Sequence, residues 1–141
     1  MLQPITSRGN SLLFQQSRYL SKYFWNILAT EIRNMNYDIL LLGCPEDSYI
    51  DPYLVTYSAL GEFNIPQCCS FILKSRFVFS TNSWMWQIAS YAGIPSWISW
   101  KTNKQWVPLH IPEPKPDNLC IDFDDSPTIS SVIEFSKKYL T

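Results

Sequence analysis

Three short polar segments each follow an apolar run and carry hydroxyl, guanidinium or carboxylate side chains. Residues 6–10 supply two hydroxyls and a guanidinium, 43–48 supply two carboxylates, and 81–84 supply hydroxyls at a predicted helix start. Hydroxyls and a guanidinium at a helix start suit a phosphate or pyrophosphate. A carboxylate a few ångström away suits ribose or sugar hydroxyls. Together the segments predict a site for a nucleotide or nucleotide sugar.

Each candidate side chain also has an ordinary structural explanation. A helical arginine is usually a solvated surface residue, and an acidic pair in a turn is usually solvated as well. Two tryptophans in a first helical turn could stack on a base or lie in the core. The residues that these considerations concern are Thr6, Ser7, Arg8, Arg18, Glu46, Asp47, Ser83, Trp84 and Trp86.

The stretch 77–100 has the pattern of a strand, a capped helix and a second strand. Apolar runs at 77–81 and 96–100 flank a segment in which Asn82 and Ser83 favour a helix start and Gly93 with Pro95 favours its end. Strand, helix and strand over so few residues predict a parallel βαβ unit. Ligands bind outside the carboxyl ends of such strands, although any βαβ unit needs a polar turn there.

The rest of the chain continues this alternation. Strands are predicted at 1–5, 38–43, 77–81, 96–100 and 118–121, and helices at 17–34, 51–61, 67–75, 83–93 and 126–140, with Ser126 as the N-cap of the last. Residues 64–66 fit either a very short strand or a connector, and 101–117 form a proline-rich loop. The fold class is α/β, a Rossmann-like open parallel sheet with helices on both faces, in a single domain over 1–141.

Composition and missing signatures exclude several classes of function. A net charge of −1 without a block of like charge argues against nucleic-acid binding. His110 is the single histidine, and the cysteines at 44, 68, 69 and 120 lack CxxC spacing, so we expect free thiols, no metal and a cytoplasmic protein. The sequence contains no apolar span of ~20 residues, so no transmembrane segment is predicted. The dinucleotide and P-loop glycine patterns are also missing, and no cofactor is predicted.

The chain resembles the C-terminal, nucleotide-sugar-binding half of GT-B glycosyltransferases of the lipopolysaccharide heptosyltransferase type. The family hallmark is a strand, then Asp-Ser/Thr-Gly-x-x-His, then a helix running through Ala to Gly-x-Pro. Here 77–81 matches the strand, 82–87 occupies the hallmark, and 88–95 matches the helix and its stop without a gap. Residues 38–46 look like the second strand and its acidic loop, and 2–7 like the first strand and its phosphate loop. Arg18 falls about where the family has a cation near the phosphates. In the family a tryptophan follows this cation, and here that tryptophan is Trp25.

The resemblance implies that the turn after the strand at 77–81 binds the donor. In this turn the sequence departs from the hallmark. Asn82 replaces the acid, Trp84 the glycine and Gln87 the histidine, and an indole would crowd space that glycine leaves to the ligand. The substrate-binding residues implied for this turn are Asn82, Ser83, Trp84, Met85 and Gln87. No catalytic residue is assigned.

The family also implies a second half, which carries the acceptor site and usually the catalytic base. One half alone is expected to bind a donor at best, so transfer would need another domain or chain. The alternative is a non-catalytic interaction module with a decayed donor site. Exposed rings at 100 and 106 would leave an apolar patch, which predicts a homodimer or a partner protein chain at this edge.

Overall fold

A computed structural model of the protein describes residues 11–14, 20–42, 50–58, 61, 64–81, 84–99, 116–122 and 127–140, with the backbone alone at 11–14, 81, 84 and 85. The strands are β1 (Ser11–Phe14), β2 (Asp38–Leu41), β3 (Tyr57–Ser58), β4 (Phe77–Thr81), β5 (Ser96–Ser99) and β6 (Leu119–Asp122). The helices are α1 (Lys22–Asn34), α2 (Ile65–Lys74), α3 (Trp84–Tyr91) and α4 (Ile129–Lys137), with a 3-10 turn at Pro52–Leu54.

The six strands form one sheet in the order β3-β2-β1-β4-β5-β6, and every neighbouring pair is parallel. The chain therefore winds outward from β1 to one edge, crosses back to β4, and winds outward to the other edge. This confirms the α/β, Rossmann-like prediction, including the parallel β4-α3-β5 unit.

Helices cover both faces because side chains alternate along each strand. Ile39 and Leu41 of β2 point to a core shared with α1 and α4, whereas Leu40 points to a core shared with α2 and α3. Strands that are buried on both faces need the nearly continuous apolar runs that β2 and β4 show. The sheet is thus the middle layer of three.

Local capping fixes where three of the helices begin. Ser21 Oγ accepts a hydrogen bond from the N–H of Phe24 at 3.1 Å, so α1 begins at Lys22 and not at 17 as predicted. Thr128, and not the predicted Ser126, caps α4 by accepting from the N–H of Ser131 at 3.2 Å. A side-chain oxygen in this position satisfies an N–H that lacks a helical partner.

Residues 64–66 belong to the start of α2 and are neither a strand nor a connector. Asn64 accepts from the N–H of Gln67 at 3.0 Å, and Gln67 Oε1 accepts from the N–H of Asn64 at 2.9 Å. This reciprocal pair is a capping box, and Pro66 suits the first turn that follows it.

The helix predicted at 51–61 is wrong. Pro52 starts only a 3-10 turn that ends at Leu54, and the chain then becomes the edge strand β3. The N–H of Thr56 donates to the carbonyl of Ile39 at 3.0 Å, while Thr56 Oγ1 accepts from the N–H of Ile39 at 3.1 Å. These contacts hold the segment extended beside β2, a conformation that β-branched Val55 and Thr56 favour.

The strand that precedes α1 is β1, at Ser11–Phe14, and not the predicted 1–5, which lies outside the described residues. β1 pairs with β2 and β4 and so occupies a central position in the sheet. The predicted polar segment 6–10 also lies outside the described residues, and Ser11, directly after it, begins β1.

Candidate functional site

The reversal of strand order between β1 and β4 marks the candidate site. β1 leads outward through β2 to β3, and β4 leads outward through β5 to β6. α1, which follows β1, packs on one face of the sheet, and α3, which follows β4, packs on the other. In open parallel sheets ligands bind in the crevice expected at such a reversal.

Three neighbouring strands bring residues to one level of the sheet. Thr81 of β4 pairs with Ser99 of β5, and Ser99 pairs with Asp122 of β6. These residues form a row near the carboxyl ends of the three strands.

Ser99 and Asp122 are polar residues of this row that were not among the predicted binding residues. Cys120 packs against the core shared with α1 and α4, so alternation puts the side chain of Asp122 on the same face of the sheet. Ser99 is buried and Asp122 half-buried. The signal in the sequence was their position as the last residues of two parallel apolar strands.

α3 begins three residues after β4 ends, so its first turn lies at the crevice. Gln87, in the fourth position of the helix, is half-buried. Trp86 is fully buried and packs with Ile98 and Leu119, so it is a core residue and does not stack on a ligand base. Of the two tryptophans considered for stacking, Trp86 therefore serves the fold.

Most predicted binding residues lie where the structure does not describe side chains. The backbone of Trp84 and Met85 forms the first turn of α3. Those outside the described residues are Thr6, Ser7, Arg8, Arg18, Glu46, Asp47, Asn82 and Ser83. The described elements nevertheless fix what these residues follow in the chain: Asn82 and Ser83 come directly after β4, and the segment with Glu46 and Asp47 comes after β2.

The position of β1 changes the argument for the first polar segment. Thr6, Ser7 and Arg8 precede β1 in the chain, so the reasoning that put them after the first strand applies instead to 15–19. That segment contains Arg18 and leads to α1. Arg18 is therefore the cation that the topology favours.

The amino edge of the sheet holds a polar network of its own. Arg33 Nη1 lies 2.9 Å from Asp38 Oδ1 and 2.8 Å from Thr56 Oγ1, and it also donates to the carbonyl of Tyr37 at 3.3 Å. These contacts join the end of α1 to the start of β2 and to β3, at the opposite edge from the crevice. Arg33 is thus a structural cation.

Thiol and metal chemistry finds no support in the part of the chain that the structure describes. Cys68, Cys69 and Cys120 are not in disulfide bonds. Burial, with a smaller contribution from neighbouring Cys69, raises the pKa of the Cys68 thiol, so it is protonated at neutral pH and a weak nucleophile. Within the described ranges no three His, Cys, Asp or Glu side chains are grouped to hold a metal ion.

No protein-family model matches the sequence, and no curated protein matches it. Several solved structures do match the chain. The E. coli ADP-heptose lipopolysaccharide heptosyltransferase II aligns with 96% of this chain and 47% of its own, at 14% identity and a TM-score of 0.73. The E. coli heptosyltransferase WaaC with ADP aligns with 97% of this chain and 46% of its own, at 13% identity and a TM-score of 0.71.

A glycosyl transferase of family 9 from Veillonella parvula has the same likeness, with 96% of this chain and 47% of its own aligned, 10% identity and a TM-score of 0.73. The chain therefore has a fold found in heptosyltransferases, which confirms the predicted resemblance at the level of fold, and it spans about half the length of these proteins. None of the helices described here is long and apolar enough to cross a membrane.

Proposed function

We propose that this chain is the donor-binding domain of a glycosyltransferase, with 1–141 as one domain that needs another domain or chain for transfer. The observation that carries the proposal is the reversal of strand order between β1 and β4, where parallel sheets bind ligands. The segment after β1 contains Arg18, and the turn after β4 contains Asn82 and Ser83. The solved WaaC complexes with ADP and with an ADP-heptose analogue support a nucleotide or nucleotide sugar as the ligand class.

The proposed roles follow from charge and hydrogen-bonding capacity. Arg18 and the helix start at Ser83 hold the diphosphate. Glu46 or Asp47 accepts hydrogen bonds from ribose or sugar hydroxyls. Asn82, Trp84, Met85 and Gln87 complete the turn against the donor. Transfer would be metal-independent, and the free thiols support a cytoplasmic location.

Thermal shift against a panel of nucleotides and nucleotide sugars tests the proposal. A ligand that binds the folded state alone stabilises it by about 2.7 kcal/mol at a hundredfold excess over its dissociation constant, which raises the Tm measurably. We expect diphosphate nucleotides to raise the Tm more than nucleosides do. An unchanged Tm with the whole panel at millimolar concentration would contradict donor binding.

Arg18→Ala tests the phosphate assignment directly. Loss of a charge-assisted hydrogen bond should weaken ADP binding by roughly 1.5–3 kcal/mol, measured by calorimetry. Arg33→Ala is the matched control, because Arg33 belongs to the network at the opposite edge of the sheet. Equal affinity in Arg18→Ala and the unmodified protein, or equal losses in both variants, would remove Arg18 from the site.

The second candidate function is a non-catalytic interaction module that self-associates or binds a partner chain. The observation in its favour is apolar exposure on α2, where Ile65 and Leu73 are both exposed. The sequence prediction for this role concerned Trp100 and Trp106, which lie outside the described residues.

Light scattering at micromolar concentration separates the two functions when it is combined with the thermal-shift panel. A dimer that Trp106→Ser converts to monomer, together with no nucleotide response, would favour the interaction module. A monomer of 16.5 kDa that responds to diphosphate nucleotides would favour the donor-binding domain.

A further inference from the structure

The ends of β5 and β6 bring a hydroxyl and a carboxylate together. Ser99 and Asp122 are the last residues of these strands and are partners in the register. Trp97 and Cys120, two residues earlier, are also partners, and both pack in the core shared with α1 and α4. Side chains two residues apart share a face, and neighbouring strands are about 4.8 Å apart. Ser99 and Asp122 therefore lie side by side on the face of α1 and α4.

Both side chains are withdrawn from water. Ser99 is 3% exposed, and Asp122 is half-buried. Hydrogen bonds are stronger in surroundings of lower dielectric than water, and carboxylates are usually more exposed than this one. A carboxylate has about four lone-pair positions, so it accepts bonds from ligand hydroxyls besides its contacts within the protein. The pair suits a ligand that presents two neighbouring hydroxyls.

A ring contact connects this pair with the start of α1. α1 runs from the carboxyl edge of the sheet back to the amino edge, because it joins the parallel strands β1 and β2. Phe24, in its first turn, stacks on Trp97 at a centroid distance of 6.0 Å. Trp97 precedes Ser99 by two residues, and the segment with Arg18 leads directly into α1. The start of α1 and the pair thus share one face and one edge of the sheet.

The strand order puts this pair and the other candidate carboxylates on opposite sides of the reversal. Glu46 and Asp47 follow β2, which neighbours β1, whereas Ser99 and Asp122 end strands on the far side of β4. A nucleotide sugar has its diphosphate in the middle and a hydroxyl-bearing ring on either side. With the diphosphate at the reversal, one ring faces β2 and the other faces β5 and β6. A carboxylate repels phosphate, so Asp122 suits a ring.

We propose that Ser99 and Asp122 bind vicinal hydroxyls of the donor ring that lies on the side of β5 and β6. The ligand hydroxyls donate to the Asp122 carboxylate, and Ser99 Oγ exchanges a hydrogen bond with one of them. This assignment rests on the proposed function and deepens it, because it gives the two rings of the donor separate ligands. Ribose and the transferred sugar offer the same chemistry, and the test distinguishes them.

The test uses calorimetry on the whole chain with three pairs of ligands: ADP and ADP-glucose, UDP and UDP-glucose, and GDP and GDP-glucose. The pair that binds the unmodified protein best is then titrated into variants. Asp122→Ala should weaken binding of the glucosylated ligand about tenfold, and Ser99→Ala about threefold. Asp122→Asn, which keeps the size of the side chain, should lose about threefold. It preserves the test if Asp122→Ala does not fold.

Comparison within the pair identifies the ring. A loss confined to the glucosylated ligand assigns Ser99 and Asp122 to the transferred sugar. An equal loss for the nucleoside diphosphate alone, in a variant whose Tm without ligand is unchanged, assigns them to ribose.

Asp117→Ala is the matched control, because Asp117 is an exposed aspartate just before the start of the same strand, at the amino edge. Its affinity for both ligands should stay within twofold of the unmodified protein. Unchanged binding of both ligands by Asp122→Ala and Asp122→Asn overturns the inference, as does an equal loss in Asp117→Ala. If none of the six ligands binds the unmodified protein, donor binding itself fails and this inference falls with it. The two failures are therefore distinguishable.

Discussion

The two faces of the sheet bury their side chains in different ways. On the face of α1 and α4, a single cluster joins both helices to the strands, with Phe24 stacked on Trp97 at a centroid distance of 6.0 Å. On the face of α2 and α3, the described core is divided. One cluster surrounds Ile72 and Ala89, and the other surrounds Trp86.

This difference concerns α3, because that helix spans the division. Among the described side chains, Ala89 belongs to one cluster and Trp86 to the other. Regions with fewer shared apolar contacts open with a smaller free energy. We therefore expect α3, whose first turn lies at the candidate crevice, to adjust to a ligand more easily than α1 does.

The largest expected effect distinguishes the two faces through their buried tryptophans. Trp97→Ala should lower the free energy of unfolding by about 5 kcal/mol, since it removes a ring from the continuous cluster. Trp86→Ala should cost nearer 3 kcal/mol, because the smaller cluster can collapse more easily around the cavity. Urea unfolding measures both. A larger loss in Trp86→Ala would reverse the comparison.

A smaller change in side-chain volume, Ile to Val, can be made on each face of the sheet. Ile32 in α1 and Ile72 in α2 are both fully buried. Ile32→Val should cost about 1.5 kcal/mol and Ile72→Val about 0.5 kcal/mol, the two ends of the usual range for this change. Urea midpoints determined in parallel would check the order, and equal midpoints would show that the two cores pack equally well.

The helix caps test how far each face unfolds as a unit. Ser21→Ala and Asn64→Ala should each cost about 1 kcal/mol, because each leaves an N–H without its side-chain acceptor. Amide hydrogen exchange should then speed up within α2 alone for Asn64→Ala. For Ser21→Ala it should speed up across both α1 and α4. Identical spreading of exchange in the two variants would argue against separate units.

The smallest effect is a gain in stability at Ser90 of α3. This serine is 5% exposed, and its Oγ has no hydrogen-bond partner among the described residues. Ser90→Ala removes an unsatisfied polar group and improves helix propensity, so the Tm should rise, with a gain of about 0.5–1 kcal/mol. Ser136→Ala in α4 is the control, because Ser136 Oγ donates to the carbonyl of Ile133 at 2.9 Å. It should not gain.

The sequence predicted the elements that have a long apolar run or several signals that agree. β4, α3 and β5 were predicted because an apolar run, cap residues and the Gly93–Pro95 stop agree with one another. β2 was predicted from an uninterrupted apolar run. Such agreement between propensity, pattern and turn chemistry leaves few alternatives.

The errors occurred where a tertiary contact outweighed a local signal. Pro52 and Gly61 suggested a helix, but pairing of Thr56 with Ile39 draws that segment to the edge of the sheet. β1 is a short apolar run that stands close to another apolar run at 1–5, so its position in the sheet was decided by its neighbours β2 and β4. Short strands carry little information of their own.

The candidate site was predictable in outline, because the edge of the sheet and the turn after β4 follow from the βαβ pattern. The cation that follows β1 depends on where that strand ends, and a first strand predicted at 1–5 placed Arg8 in the loop after it and Arg18 on the following helix. Ser99 and Asp122 were missed, because their common level is visible only from the register of β4, β5 and β6.

The pairing of β1 with β4 also has a consequence for the order of folding. Every other strand pair on each side of the sheet joins consecutive strands, whereas Leu12 meets Phe77 across two intervening strands and two helices. Closing so large a loop is entropically costly, and such contacts form late and slowly. The crevice exists only after this closure, so a slow phase in refolding should coincide with the recovery of ligand binding. Until then, β1 and β4 each present an unpaired edge on which chains aggregate.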